Sequence, residues 1–273
     1  MAASGSANAR PVLTHFLAIP LVPSSPTSPA RIQLSRALTA FRDEVTTGYG
    51  VPPDAVRPPG TLHLTLGVMA LGGNNGGGGD LARAVALLRT MKPREVLAEA
   101  AGKGGEGLLG GDGGGLTISL RGLCTMQKDT SKATVLYAQP TLVSQPAASP
   151  NILQSFCERV AAVFKDAGLM VAENRPLKLH ATVVNTIYAK GGQRSSRRGG
   201  GGGGGKRFGK DKVTIDATGI LERFEDYVWA EDIHLNSLVI YRMGAKKIRR
   251  EGIDSGEHEE DDAAYEVEAE VAI

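Results

Sequence analysis

The sequence predicts an α+β fold with two similar lobes, in which two antiparallel sheets line a central cleft and helices cover their outer faces. Three observations predict this fold. An order of strand, helix and strand occurs twice along the chain. The second strand of each copy carries a histidine followed two residues later by a threonine, and the glycine-rich tracts fall between the predicted elements rather than within them.

The first copy occupies residues 12–71. Residues 12–22 form an apolar run that predicts a buried strand. Ser28 and Pro29 are typical of a helix start, with serine as the N-cap and proline in the first turn, and Gly48 predicts the helix end. A proline-rich turn then leads into the strand that carries the first histidine. The predicted helix has apolar residues at helical spacing: Leu34, Leu38, Phe41 and Val45.

The second copy repeats this order along residues 133–188. Residues 133–139 predict a strand, and the Ser-Pro pair at 149–150 predicts the start of a helix. Gly168 predicts the end of that helix. The strand that carries the second histidine is predicted over residues 177–188.

The spacing of the two copies indicates an internal duplication. His180 lies 117 residues after His63, and Ser149 lies 121 residues after Ser28. Matched elements at nearly equal offsets are stronger support than either short motif alone. Further predicted elements complete the lobes: a short helix with Leu81, Val85 and Leu88, and strands at 116–120, 213–216 and 233–241.

The composition predicts one ordered domain. The chain has 273 residues, of which 36 are glycine, and most of this excess lies in three tracts that are typical of flexible insertions. We therefore expect a domain over residues 12–245, after a disordered N-terminus at 1–11 and before an acidic, disordered tail at 246–273. The glycine-rich insertions fall near residues 72–79, 102–115 and 191–209.

Each histidine strand has a polar face and an apolar face. Residues two apart in a strand point the same way, so His63 shares a face with Thr65, and His180 shares one with Thr182. Lys178 lies on the same face as His180. Two such strands, one in each lobe, predict a single cleft with two imidazoles. The opposite faces predict core positions: Leu62, Leu64, Leu66 and Val68 on the first strand, and Leu177, Leu179, Ala181 and Val183 on the second.

These side chains suit phosphodiester chemistry without a metal. Near neutral pH, one imidazole can be neutral and accept a proton while the other is protonated and donates one. Threonine hydroxyls can donate hydrogen bonds to the phosphoryl oxygens, and a lysine adds positive charge. We therefore expect no cofactor. The predicted catalytic residues are His63 and His180, and the predicted phosphate-binding residues are Thr65, Thr182 and Lys178.

Three other interpretations start from the same residues. Two histidines can ligate zinc, but a third ligand is required, and neither strand supplies an Asp, Glu or Cys beside its histidine. The histidines can instead be ordinary strand residues, with threonine present for its β propensity. The fold can also bind RNA or nucleotides as a non-catalytic subunit of a larger complex. The duplication of both complete motifs favours the enzyme.

Charge and composition restrict the expected partners and the expected compartment of the protein. The net charge of +2 gives no overall attraction to nucleic acid, although Lys and Arg cluster around the third glycine tract, either as a solvated loop or as a contact to a phosphate backbone. Two cysteines without metal-ligand spacing indicate an intracellular compartment, nuclear or cytoplasmic. No apolar run reaches the length of about 18 residues that a membrane helix needs. We expect a monomer that contacts no membrane.

The chain resembles the 2H phosphoesterase superfamily, whose members carry two His-x-Thr/Ser motifs in a two-lobed fold like that of 2′,5′ RNA ligase. Within it, the likeness is greatest to the phosphoesterase domains of transcription-cointegrator and kinase-anchoring proteins. The matching segments are THFLAIPL (14–21), LHLTLGVMAL (62–71), VLYA (135–138), LKLHATVVNTIYAK (177–190) and IHLNSL (233–238).

This resemblance implies catalysis by His63 and His180, with Thr65 and Thr182 contacting phosphate. It also implies a class of substrate, namely RNA ends, 2′,3′-cyclic phosphates or 2′,5′-linked oligonucleotides, all cleaved without a metal. The partner it implies is a transcription cointegrator or alkylation-repair complex.

Overall fold

The computed structural model describes residues 11–23, 25, 27–72, 79–102, 115–143, 151–189, 212–248 and 262–273. Within them, eight antiparallel strands form a single sheet, and helices pack against one of its faces. The strands are β1 (His15–Pro20), β2 (His63–Met69), β3 (Leu116–Thr125), β4 (Val135–Leu142), β5 (Ala181–Asn185), β6 (Val228–Leu235), β7 (Ser237–Lys247) and β8 (Ala263–Ala272). The helices are α1 (Pro29–Tyr49), α2 (Gly79–Thr90), α3 (Pro93–Ala101), α4 (Ile152–Asp166) and α5 (Thr218–Arg223).

The order of strands confirms a two-lobed α+β fold. It runs β6-β3-β4-β5-β2-β1-β7-β8, so four strands from each lobe lie side by side. The two groups meet between β2 and β5, where the only pairing among the described residues is Leu64 with Ala181. The two expected sheets are therefore joined edge to edge at one point, and the histidine strands are the two that meet.

The first copy follows the predicted order, with two changes: one at a helix end, and one on β2, where Met69 is buried in place of the predicted Val68. Pro29 opens α1, preceded by Ser28 in extended conformation. The helix ends at Gly50 and not at Gly48, because Gly50 has a φ of 65°, which glycine adopts without strain. The stripe that α1 buries against the sheet includes all four predicted residues: Leu34, Leu38, Phe41 and Val45.

The second copy follows the predicted order where the structure describes it, but the strand predicted over 177–188 is only Ala181–Asn185, so His180 lies just before it. The Ser-Pro pair at 149–150 lies outside the described residues, and the helix α4 begins just after it. Asn151 caps this helix, since its side-chain oxygen accepts a hydrogen bond from the backbone N–H of Gln154. Gly168, with a φ of 69°, follows the end of the helix. Most of the three glycine tracts and the first ten residues lie outside the described part of the chain.

Two predicted strands are wrong. The run at 233–241 is not one strand, because the chain leaves β6 at Asn236 and enters β7. The first part pairs with β3 and the second with β1, at separate places in the sheet, and alternation of polarity does not reveal such a change of partner. Residues 213–216 form only an isolated bridge between Ile215 and Ala133.

The prediction of a disordered tail is wrong over residues 263–272, because these residues form the edge strand β8 beside β7. Its acidic residues alternate with apolar ones and lie opposite cations of β7. Glu266 pairs with Lys246 at 2.8 Å, and Glu268 pairs with Arg242 at 2.9 Å. A strand with acidic residues on its exposed face is thus stabilised by a basic neighbour. None of the described helices is long and apolar enough to cross a membrane.

Candidate functional site

The register between β2 and β5 brings the two motifs together. Leu64 and Ala181 pair across the strands, and both side chains are fully buried on the helix-covered face. Because successive residues of a strand alternate between faces, the flanking motif residues lie on the other face. Counting one residue outward in each direction places His63 opposite Thr182, and His180 opposite Thr65. The four motif residues thus surround a local two-fold centre.

Both imidazoles are held by the same hydrogen bond. The Nδ1 of His63 lies 2.8 Å from the carbonyl oxygen of Thr61, and the Nδ1 of His180 lies 2.7 Å from that of Lys178. A carbonyl oxygen only accepts, so each Nδ1 carries the hydrogen and donates it. The Nε2 of each neutral ring is therefore the atom that can accept a proton from a bound molecule.

His63 is partly buried among aromatic rings. Its ring centroid lies 4.8 Å from that of Phe16 and 5.4 Å from that of Tyr265. Burial lowers the pKa of His63 to about 4, although the hydrogen bond to the Thr61 carbonyl acts to raise it, and the charges of Arg57 and His180 lower it further. The register of β2 and β5 places His180 near His63, and its charge acts in the same direction as that of Arg57.

His180 lies in a more open setting. Its ring makes an edge contact with Tyr137 at 5.5 Å, and the ammonium of Lys178 lies 4.6 Å from the centroid of the same tyrosine ring. Burial lowers the pKa of His180, and the charges of Lys178 and Arg175 act in the same direction. The structure therefore brings the predicted Lys178 to the His180 side of the cleft.

Two residues beside His63 were missed by the sequence analysis. Arg57 is buried, stacks over Tyr188 at 3.9 Å and donates a hydrogen bond to the hydroxyl of Tyr265 at 3.3 Å. Among the described residues it forms no ion pair with a carboxylate. Arg57 lies in the proline-rich turn and Tyr265 in the supposed tail, so neither had a periodic signal. Arg57 gives the His63 side a positive charge, as Lys178 does on the other side, and Tyr265 helps to hold the guanidinium in place.

The loop before His63 is fixed by the C-terminal strand. Asp262, just before β8, accepts a hydrogen bond from the backbone N–H of Gly60 at 2.8 Å and pairs with Arg31 at 2.7 Å. Gly60 belongs to the short helical turn Pro59–Thr61, whose last residue holds His63. A Cβ on Gly60 would lie 2.6 Å from the carbonyl oxygen of Ala263, so glycine is required for this close approach.

No group of three or more His, Cys, Asp or Glu residues in the described part of the chain is arranged to hold a metal ion.

Comparison with known families identifies the domain. A family model, the AKAP7 2′5′ RNA ligase-like domain, matches residues 13–251. The chain belongs to this family. Membership in the AKAP7 2′5′ RNA ligase-like family confirms the resemblance to the 2H phosphoesterase superfamily and supports phosphoesterase-type chemistry.

Two individual proteins that are similar to this AKAP7-type domain are each identical to it at about a quarter of the aligned residues. The chain is 27% identical over 235 residues to activating signal cointegrator 1 complex subunit 1 of Mus musculus, covering 85% of this chain and 58% of that protein. It is 27% identical over 130 residues to an uncharacterised protein of Schizosaccharomyces pombe, covering 48% of this chain and 50% of that protein. The chain thus spans between half and three fifths of these relatives.

Solved structures are similar over almost the whole chain. The structural alignment with LigT of E. coli includes 97% of this chain and 99% of LigT, at 14% identity and a TM-score of 0.43. The alignment with TT0787, a protein of Thermus thermophilus, includes 95% of this chain and 97% of TT0787, at 13% identity and a TM-score of 0.45.

Proposed function

We propose that the chain is a metal-independent phosphodiesterase that acts on RNA ends, 2′,3′-cyclic phosphates or 2′,5′-linked oligonucleotides. His63 and His180 exchange protons with the substrate, and Thr65, Thr182 and Lys178 bind the phosphate. The observation that carries this proposal is the matched anchoring of two imidazoles on adjacent strands, each with Nδ1 bonded to a carbonyl two residues earlier. This arrangement leaves two Nε2 atoms for one phosphodiester.

The proton transfers follow from the charge state of each ring. His63, whose pKa is lowered to about 4, is neutral at pH 7 and can accept the proton of the attacking hydroxyl or water. His180 then donates a proton to the leaving oxygen, once the bound phosphate anion has favoured its protonated form. The threonine hydroxyls donate hydrogen bonds to the phosphoryl oxygens as negative charge develops on them. Each histidine takes the opposite role if the substrate binds in the reverse direction.

The dependence of kcat/KM on pH tests whether His63 and His180 act as a pair of base and acid. Because the pKa values of both histidines are lowered in the free protein, we expect a bell-shaped profile whose two limbs both lie below about pH 6.5. Arg57→Gln removes a positive charge near His63, so the pKa of His63 rises and the acid limb moves to higher pH. A profile that is flat between pH 4 and 7, or an acid limb that stays in place in Arg57→Gln, would contradict this interpretation.

Activity in the presence of a chelator tests the absence of a metal requirement. Turnover of a 2′,3′-cyclic nucleotide should be the same in millimolar EDTA as in buffer alone, because imidazoles and hydroxyls supply all the proposed functional groups. Loss of turnover in EDTA and its recovery with a divalent cation would show that a metal takes part.

A second candidate function is a non-catalytic, RNA- or nucleotide-binding subunit of a nuclear cointegrator or alkylation-repair complex. It is favoured by the match to the mouse cointegrator subunit over 85% of this chain. Purified protein should be assayed on 2′,5′-oligoadenylate, 2′,3′-cyclic nucleotides and single-stranded RNA. Binding that persists in variants of both histidines, with no turnover by the unaltered protein, would favour the subunit over the enzyme.

A further inference from the structure

A cavity of about 560 Å³ lies between β3, β4 and the segment that begins with α5. It does not include the histidines. Its lining includes Arg121, Cys124, Gln139, Thr141, Glu222 and Glu225. A volume of this size is within the range of cavities that hold small organic ligands.

The cavity lies one strand away from the tyrosine that contacts His180. Tyr137, whose ring touches His180, pairs directly with Cys124 across β3 and β4. Gln139 lies two residues beyond Tyr137 on the same face of β4, and its amide contacts the sulfur of Cys124 at 3.0 Å. Neighbouring strands are about 4.8 Å apart, so the nearest wall of the cavity is about one strand spacing from Tyr137.

A bulge in β3 shapes the cavity. Arg121 pairs with Gln139 and Cys124 pairs with Tyr137, so two residues of β3 have no direct partner on β4. One of these, Gly122, has a φ of 65°, and a Cβ there would lie 2.7 Å from the carbonyl oxygen of Glu225. Glycine thus allows the chain after α5 to form one wall. Bulges of this kind are frequent beside active sites.

The lining favours an uncharged ligand that donates hydrogen bonds. Arg121 is paired with Glu231, whereas Glu222 and Glu225 form no ion pair within the described ranges. Carboxylates only accept hydrogen bonds and repel a second phosphate, so the ligand must supply O–H or N–H groups. Ribose hydroxyls and exocyclic base amines are such groups. Leu123 and Leu221 add apolar surface for a ring.

We propose that this cavity is a nucleoside subsite, which takes the base and ribose on the His180 side of the scissile phosphate. The inference rests on the proposed phosphodiesterase function for the position of the phosphate, between His63 and His180. Since the subsite carries unpaired carboxylates, it accepts a terminal nucleoside without a further phosphate. The cavity therefore assigns a polarity to the substrate, with its uncharged end toward β3 and β4.

Alkylation of Cys124 can report whether this subsite is occupied. Of the two cysteines of the chain, Cys124 is half-buried in the cavity wall, whereas Cys157 is fully buried and burial raises the pKa of its thiol. Iodoacetamide should therefore modify Cys124 and leave Cys157 as an internal control. We expect 2′-AMP to slow the alkylation of Cys124 at least fivefold, and adenosine to slow it less. Inorganic phosphate alone should leave the rate unchanged.

A cavity-filling variant gives an independent test. In Thr141→Trp, the ratio of kcat/KM for a 2′,3′-cyclic nucleotide to that for bis(p-nitrophenyl) phosphate, which has no nucleoside, should fall about tenfold. Thr90→Trp, at the exposed end of α2, is the matched control and should keep the ratio of the unaltered protein.

The outcomes separate the subsite from the proposed function. Protection of Cys124 by nucleotides in a protein that cleaves no phosphodiester would support the subsite and contradict the enzyme. Turnover of cyclic nucleotides without protection of Cys124, or with an unchanged ratio in Thr141→Trp, would overturn the subsite and leave the enzyme in place.

Discussion

Replacement of either imidazole should nearly abolish turnover. In His63→Ala and in His180→Ala, kcat for a 2′,3′-cyclic nucleotide is expected to fall by about 10²–10⁴-fold, because each ring supplies one of the two proton transfers. The double variant should be little slower than either single variant, since the residual rate no longer uses the pair. Thr65→Ala and Thr182→Ala should each cause a smaller loss, because each hydroxyl supplies one hydrogen bond to the phosphate.

The control for this prediction is a third histidine of the chain. His234 lies on β6 at the far edge of the sheet and contacts Thr117 at 2.8 Å. His234→Ala should keep the activity of the unaltered protein. Far-UV circular dichroism should show that all variants are folded, since His63 and His180 are both partly exposed. Full activity in His63→Ala or His180→Ala would refute the catalytic assignment.

The fold was predictable where local patterns decide it. Alternation of Leu62, Leu64 and Leu66 identifies the strand and its buried face, and the Ser-Pro start of α1 identifies the helix. Because these patterns occur twice, the sequence also predicts which two strands are related. Whether those strands are neighbours depends on pairing across 117 residues, and the sequence supports it only through the expectation of a common cleft.

The rest of the site depends on long-range contacts without a local signal. Arg57 follows a turn, and its partners Tyr188 and Tyr265 lie 131 and 208 residues further along the chain. The composition of the tail predicts disorder because it is acidic, yet its carboxylates face cations of β7 that only the folded sheet brings near. The cavity beside Tyr137 likewise depends on a bulge in β3, which alternation does not reveal.

Asp262→Ala should be the most destabilising change outside the hydrophobic core, with a loss of about 3 kcal/mol in the free energy of unfolding. Its carboxylate and the Arg31 guanidinium are only 11% and 16% exposed, so removal of one partner leaves a nearly buried charge unpaired. The N–H of Gly60 also loses its acceptor. Urea denaturation measures the loss, and Glu266→Ala, which removes an exposed ion pair of β8, should cost far less.

Asp262→Ala should also change the pKa of His63, because Asp262 fixes the turn whose Thr61 carbonyl accepts the hydrogen bond from Nδ1 of His63. As the turn loosens, water reaches the imidazole and its pKa should rise from about 4 toward the ordinary histidine value. Titration by NMR measures this shift in the folded variant, with Asp262→Asn as an intermediate, since its amide oxygen can still accept from Gly60. A merely destabilised protein would keep the low pKa in its folded fraction, so an unchanged value would mean that β8 stabilises the sheet without positioning His63.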